Sequence, residues 1–176
     1  MLTVEDVIRI FPEVEHISDQ QMKEHVIRAW QGAMEMSECT DLETVKWTMA
    51  VPGLEDTLVQ HTRKVTRMAK ACACEHGGVN VDLVIAGALL HDVGKVLEYA
   101  QVDGQTVTSK TGKGLRHPVS GAGLAMKFDL PYELVHIIAN HSKEGDFVTR
   151  IPEAILIHHV DFVDFDIAKA LLAAKK

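Results

Sequence analysis

A histidine and an aspartate stand side by side, His91-Asp92, near the end of the most apolar stretch of the chain, residues 83–96. The apolar character of this stretch predicts a central, buried helix. A buried imidazole and a buried carboxylate are costly unless a third group compensates both of them. A divalent cation would do so, because both groups are good metal ligands. Taken alone, the pair favours a structural role, in which the two side chains bond to each other or to helix ends.

Further residues of the same types extend this pair. His61 falls on the apolar stripe of the preceding predicted helix, and Asp161 shares a face with apolar residues of a late predicted helix. His117 and His141 begin or end other predicted helices, where side chains from several helices can meet. Together these placements favour a metal site over a structural role. Asp164, one turn beyond Asp161, is the main rival for the last carboxylate ligand.

Helical periodicity dominates the chain and predicts an all-α protein. Residues 1–50 are predicted to form a helical lead-in that packs on the main body, residues 51–176, so that the whole chain makes a single compact domain. The stretch near residues 100–110 is different, because an Asp103-Gly104 turn lies between two short segments and the second alternates β-branched residues. This pattern predicts a short β-hairpin inserted in the helical protein.

The bulk composition limits the choice of partners. A formal net charge of −7 argues against general nucleic-acid binding through a basic face, although a cleft can still bind a small anionic substrate. The longest uncharged apolar stretch, residues 83–90, is too short to cross a bilayer, and the N-terminus is unlike a signal peptide. We therefore expect a cytoplasmic protein with reduced thiols and no membrane partner. Cys72 is predicted to pack in the core and His25 to lie on the surface.

The order of these residues resembles that of a known family. The spacing of the histidines and aspartates, with the string Leu-Leu-His-Asp-Val-Gly-Lys, is similar to the HD-domain superfamily of metal-dependent phosphohydrolases over about residues 54–170. The resemblance implies an HD-domain helical bundle. Two additional histidines make the pattern similar to H…HD…H…H…D, the pattern of members that hold two metals. The hairpin and the later His-His-Val-Asp string resemble the HD module of certain bacterial exoribonucleases and HD phosphatases acting on dinucleoside polyphosphates.

The resemblance implies a ligand set. The implied ligands of the first metal are His61, His91, Asp92 and Asp161. Asp92 would bridge to a second metal that also takes His117 and His141. The chain departs from one common pattern at Ser142, where many two-metal relatives have a second histidine. The implied cofactors are one or two divalent transition metal ions, namely Fe, Mn, Co, Ni or Zn.

The resemblance also implies roles in catalysis and substrate binding. Asp92 would act in catalysis by holding the metals that activate water. Lys95 lies one helical turn beyond His91 and would stabilise the substrate phosphate or the transition state, whereas its structural alternative is to complement the C-terminal end of a helix dipole. Arg116 adjoins a proposed ligand and Lys143 follows another, so both are candidates for binding the substrate phosphate.

Three functions remain open from the sequence. The leading one is a metal-dependent phosphohydrolase or phosphodiesterase that hydrolyses a nucleotide or another small phosphate ester. An HD-type di-iron oxygenase acting on a small polyol or a phosphonate would use the same ligands. A non-catalytic HD module that binds a nucleotide is the third, although a pure binding module has no need of an activated water. A homo-oligomer is compatible with all three.

Overall fold

The computed structural model describes residues 2–175, so Met1 and Lys176, which the predicted segment boundaries include, lie outside the described residues. The helices and strands are α1 Val4–Ile10, α2 Gln20–Met36, α3 Leu58–His76, α4 Val81–Leu90, α5 Lys95–Glu98, β1 Tyr99–Val102, β2 Gln105–Thr108, α6 His117–Lys127, α7 Tyr132–Asn140 and α8 Pro152–Ala173. Short 3₁₀ turns lie at Pro12–His16, Leu42–Thr44 and Lys143–Phe147.

Helix α4 is the centre of the fold. Its residues from Leu83 to Leu90 are all buried, and it packs against α2, α3, α7 and α8. Asn80 begins the helix, because its side-chain oxygen accepts a hydrogen bond from the Leu83 N–H at 3.1 Å. Trp30 of α2 is fully buried and donates from Nε1 to the Leu89 carbonyl oxygen at 3.2 Å. The N-terminal helices therefore share one hydrophobic core with the rest of the chain.

Helix α3 runs along α4 and carries the first of the site histidines. It begins at a capping box, in which the Thr57 hydroxyl accepts from the Gln60 N–H and the Gln60 side chain accepts from the Thr57 N–H. It ends at Gly77, whose φ of 67° suits a glycine. His61 lies in the first turn, on the buried face. The cap thus fixes the start of α3 about one turn before this histidine.

The central helix is shorter than the sequence predicts. The apolar stretch 83–96 predicts one continuous helix, but α4 ends at Leu90 and residues 91–94 form a turn before α5 begins. Gly94 lowers helix propensity at this point. The turn packs closely on the start of α6, since a Cβ atom built on Gly94 would lie 2.1 Å from the His117 carbonyl oxygen. The His91-Asp92 pair therefore lies in a turn rather than within a helix.

The predicted β-hairpin is confirmed. Strands β1 and β2 pair antiparallel, and the last pair, Val102 and Gln105, is joined by a two-residue loop. Asp103 and Gly104 both have positive φ, 50° and 75°, as a type I′ turn requires. The all-α class with a short inserted hairpin is therefore confirmed as well.

Two smaller expectations are wrong. Cys72 is exposed, because the buried positions at the end of α3 are Ala69 and Ala73, and Cys72 lies about 100° around the helix from Ala73. His25 is buried in α2 rather than lying on the surface. Within the part of the chain that is described, no helix is both long and apolar enough to span a membrane.

Candidate metal centre

Four side chains from three parts of the fold meet at the end of α4. His61 comes from α3, His91 and Asp92 from the turn after α4, and Asp161 from α8; we call them the first cluster. The Nε2 atoms of His61 and His91 lie 3.3 Å apart. Asp92 Oδ2 lies 3.5 Å from both of these nitrogens, and Asp161 Oδ1 lies 3.1 Å from His61 Nε2. The two nitrogens and the Asp92 oxygen thus lie close enough together to hold one ion, and Asp161 Oδ1 lies beside them, 3.9 Å from His91 Nε2.

A second cluster shares one residue with the first. It consists of Asp92, His117 at the start of α6 and His141 at the end of α7. Asp92 Oδ1 lies 3.2 Å from His117 Nε2 and 3.5 Å from His141 Nε2, and these two nitrogens lie 3.3 Å apart. Asp92 therefore directs one carboxylate oxygen to each cluster.

The opposite nitrogen of each clustered histidine contacts an oxygen atom that accepts a hydrogen bond. The Nδ1 contacts are His61 to Asp164 Oδ2 at 2.7 Å, His91 to Ala88 O at 2.7 Å, His117 to Glu98 Oε2 at 2.9 Å and His141 to Ile138 O at 2.9 Å. A neutral imidazole bound in this way carries its proton on Nδ1. Its Nε2 then presents an unprotonated lone pair to the cluster, as a metal ligand must.

The donor set fits divalent cations. Two unprotonated Nε2 atoms at 3.3 Å cannot bond to each other, and ligands about 2.1 Å from a shared metal lie roughly 3.0–3.4 Å apart. Asp92 Oδ2 lies 2.7 Å from Lys95 Nζ, yet it accepts no hydrogen bond of regular geometry among the described atoms. This buried carboxylate oxygen can therefore accept a further ligand, such as a metal ion, beside the Lys95 ammonium. Each of the clusters contains at least three suitably close ligand atoms.

The sequence model of the HD domain matches residues 58–166, which is more than half of the chain. The chain belongs to the HD-domain family. HD domains bind divalent metals, and the clusters at the end of α4 could hold them here.

Several curated proteins are similar to this HD domain. A dihydroneopterin 2′,3′-cyclic phosphate phosphodiesterase from Methanocaldococcus jannaschii is 35% identical over 118 residues, which cover 62% of this chain and 47% of that protein. A 3′-5′ exoribonuclease YhaM from Listeria monocytogenes is 30% identical over 116 residues, covering 59% and 37%. A ribonuclease Y from Petrotoga mobilis is 32% identical over 100 residues, covering 57% and 16%. The chain thus spans less than half the length of these relatives. No solved structure is significantly similar to it.

The charge state of the first cluster of this HD domain suits a cation. Burial lowers the pKa of His91 to about 4, so this imidazole is neutral at neutral pH. Burial alone would raise the pKa of Asp92, but the Lys95 ammonium and the neighbouring histidines hold it well below its usual value. Burial also acts to raise the pKa of Asp161, but the contact with His61 outweighs it and lowers the pKa to about 2. Both carboxylates are therefore ionised.

The second cluster holds a proton more tightly. Burial lowers the pKa of His117, and its hydrogen bond to Glu98 offsets only part of this effect. Burial also acts to lower the pKa of His141, but the contact with Asp92 is stronger and raises it above its usual value. A metal that binds this cluster must therefore compete with a proton for His141 more strongly than for His117 or His91.

The three predicted substrate-binding residues lie in different settings. Lys95 is buried with its Nζ against the shared aspartate, a contact made across the turn rather than along a continuous helix. Arg116 is 61% exposed and lies 3.5 Å from both Glu98 and Glu144. Lys143 is exposed at the start of a 3₁₀ turn. Lys95 therefore contacts the aspartate that both clusters share. Arg116 lies farther out, where it contacts Glu98, the residue that bonds to His117.

Two residues support histidines of the site from outside the clusters. Asp164, the predicted rival ligand, contacts Nδ1 of His61, whereas Asp161 contacts Nε2 of the same ring. The two carboxylates therefore lie on opposite edges of the ring. Their i, i+3 spacing places both on one face of α8, so the sequence could have predicted that both contact the same histidine. His158 contacts the His141 carbonyl oxygen through Nδ1 at 2.6 Å and so holds the backbone of a second-cluster histidine.

Two residues next to the clusters were missed. Glu98 is buried and accepts from both the N–H and Nδ1 of His117, at 2.7 and 2.9 Å. Trp47 stacks on His61 with ring centroids 3.8 Å apart. The sequence contained no local signal for either contact, because 19 residues separate Glu98 from His117 and the loop carrying Trp47 has no periodic pattern.

Proposed function

We propose that this chain is a metal-dependent phosphohydrolase that cleaves a phosphodiester in a nucleotide or another small phosphate ester. The observation that carries the proposal is the position of Asp92, which directs one oxygen to each of two histidine clusters. Paired cations are suited to phosphate-ester hydrolysis, because one can activate the attacking water while both neutralise the phosphate oxygens. The relatives named as a cyclic phosphate phosphodiesterase and an exoribonuclease support the same reaction class.

In this proposal each cluster holds one metal. The proposed ligands of the first metal are His61, His91, Asp92 and Asp161, and those of the second are Asp92, His117 and His141. Imidazole and carboxylate ligands favour Mn²⁺, Fe²⁺, Co²⁺, Ni²⁺ or Zn²⁺ over Ca²⁺. Ser142 does not add an imidazole to the second cluster, so positions there are left for water and substrate.

Lys95 has the best position for a group that assists the reaction. Its ammonium is buried beside Asp92, where a low dielectric strengthens its attraction for a phosphate oxygen. Arg116 is proposed to bind a more distant substrate oxygen, because it is exposed beside Glu98 and can rotate towards solvent. Lys143 would act at longer range through its charge alone.

A small substrate is favoured over a long nucleic acid. The net charge of −7 repels a polyanion, whereas a small ester needs only the local positive charge of the metals, Lys95 and Arg116. We therefore propose a cyclic nucleotide phosphodiester, or a compound of similar size, as the substrate class.

The test combines elemental analysis with hydrolysis assays. We expect the purified protein to contain about two transition metal ions per chain and to hydrolyse 2′,3′-cyclic nucleotides or bis-p-nitrophenyl phosphate. Asp92→Ala should lose both metals and all activity, whereas Asp166→Ala, an exposed aspartate on α8, should keep both. Retention of metal by Asp92→Ala would contradict the ligand assignment. Oxygen uptake without hydrolysis of any phosphate ester would instead favour an oxygenase.

A further inference from the structure

Trp47 lies against the metal centre although it belongs to the loop between α2 and α3. It precedes the residues that match the HD domain, which begin at residue 58. Its indole is buried and stacks on the His61 imidazole, with ring centroids 3.8 Å apart and planes inclined by 14°. The N-terminal part of the chain therefore contributes a side chain that touches a proposed metal ligand.

The loop holds Trp47 firmly in this place. Its backbone N–H donates to the Asp56 carbonyl oxygen at 3.2 Å, and the preceding residue pairs with Thr57 at the start of α3. Phe165 of α8 packs edge-on against the indole with centroids 5.8 Å apart. Lys95 Nζ lies 5.8 Å from the centre of the same ring. The indole is thus tied to the two helices that carry ligands of the first cluster.

Stacking supplies a restraint that the hydrogen bond of His61 does not. The bond from Nδ1 to Asp164 fixes one edge of the imidazole but still allows the ring to rotate about that bond. A parallel indole at 3.8 Å blocks this rotation and keeps Nε2 directed at the cluster. An imidazole that binds a cation also becomes electron-poor, and the face of an indole attracts such a group. The stack therefore favours the metal-bound state over the free one.

We infer that Trp47 is a positioning residue for the first metal, acting through His61. The inference depends on the proposed metal site. It means that the N-terminal segment, which contains Trp47, helps to orient a ligand of that site. Removal of the indole should weaken the first metal site about ten-fold, the lower end of the usual effect of groups that orient metal ligands.

The two tryptophans of the chain allow a matched experiment. Trp30 is equally buried but bonds to the α4 backbone instead of a ligand, so Trp30→Phe leaves Trp47 as the single reporter. Metal-free protein is titrated with Co²⁺, which quenches indole fluorescence at short range. We expect strong quenching in Trp30→Phe and weaker quenching in Trp47→Phe. Equal quenching in the two variants would overturn the inference.

Co²⁺ affinity provides the second measurement. Trp47→Leu should bind the first Co²⁺ about ten-fold more weakly, and Trp47→Phe, which retains an aromatic face, should recover most of the loss. Trp30→Phe should bind as the wild type does. Wild-type affinity in Trp47→Leu would overturn the role of Trp47 alone. Absence of Co²⁺ binding in the wild type would refute the metal centre and, with it, this inference; the fluorescence comparison stands even if Trp47→Leu does not fold.

Discussion

Replacing Gly94 with alanine should remove the second metal while leaving the first in place. The new Cβ would lie 2.1 Å from the His117 carbonyl oxygen and 2.6 Å from the Gly121 N, whereas real Cβ atoms essentially never come closer than 3.0 Å. Both contacts are with backbone, so no side chain can rotate away. We expect α6 to move by about 0.9 Å, because the turn continues from the fully buried α4, and this movement separates His117 from Asp92 while the first cluster stays in place. Metal–ligand distances tolerate only about 0.2 Å.

The same displacement sets the expected loss of stability. Overpacking of a rigid contact costs about 1–3 kcal/mol, which for a domain of this size lowers Tm by roughly 2–12 °C. Gly123 offers a matched control on α6, because a Cβ atom there would meet open space. Gly123→Ala should keep both metals and raise stability by up to about 1 kcal/mol, since alanine is the better helix former.

Two assays on the two variants decide the outcome. Elemental analysis should find about one metal per chain in Gly94→Ala and two in Gly123→Ala. Thermal unfolding of the metal-free proteins should give a lower Tm for Gly94→Ala than for Gly123→Ala. The first cluster takes two of its ligands, His61 and Asp161, from α3 and α8, so it should stay occupied. Two metals and an unchanged Tm in Gly94→Ala would refute the idea that this glycine sets the spacing between the clusters.

Three further changes test the electrostatics of the site. Asp164→Asn should weaken the first metal site about 10–100-fold by removing the charge that orients its histidine, while exposed Asp166→Asn should have no effect, as Co²⁺ titration can measure. Lys95→Met should lower kcat at least about 100-fold with metal content retained, because it removes a buried positive charge but no ligand. Acidification below pH 7 should release the second metal before the first. His141 has a raised pKa and so gains a proton at a higher pH than His91, whose pKa is about 4. Dialysis at stepped pH followed by metal analysis measures this order.

Each of these expectations has an opposing result. Equal Co²⁺ affinity in the two aspartate variants would mean that Asp164 does not orient a ligand. Loss of metal from Lys95→Met would give the lysine a structural role in place of a catalytic one. Simultaneous release of both metals on acidification would contradict the separate proton affinities of His91 and His141.

Local patterns in the sequence were sufficient for much of the fold. The spacing of apolar residues predicted the helices, and Asp103-Gly104 predicted the hairpin turn, because both depend on residues a few positions apart. The helix predicted over residues 83–96 was too long, because α4 ends at Leu90 and the following turn packs closely on α6 at Gly94. Periodicity carries no information about such a contact.

The sequence by itself determined which residue types were available to bind metal and near which helices most of them lie. The pairing of His91 with Asp92 and the resemblance to the HD pattern pointed to all the residues that meet in the two clusters. Only the tertiary structure decided how they are arranged. Asp92 faces both clusters because the chain turns after Leu90, and Asp164 orients His61 because α8 crosses α3 at that level.

Trp47 and Glu98 illustrate the physical reason for this limit. Each contacts a histidine of the site from another element, so its position depends on how loops and helices pack together rather than on neighbours in sequence. Side-chain chemistry and helical spacing are local properties and can be derived from the order of residues. The hydrogen bonds and stacking that orient the ligands form between distant segments, and they exist only once the core has brought those segments together.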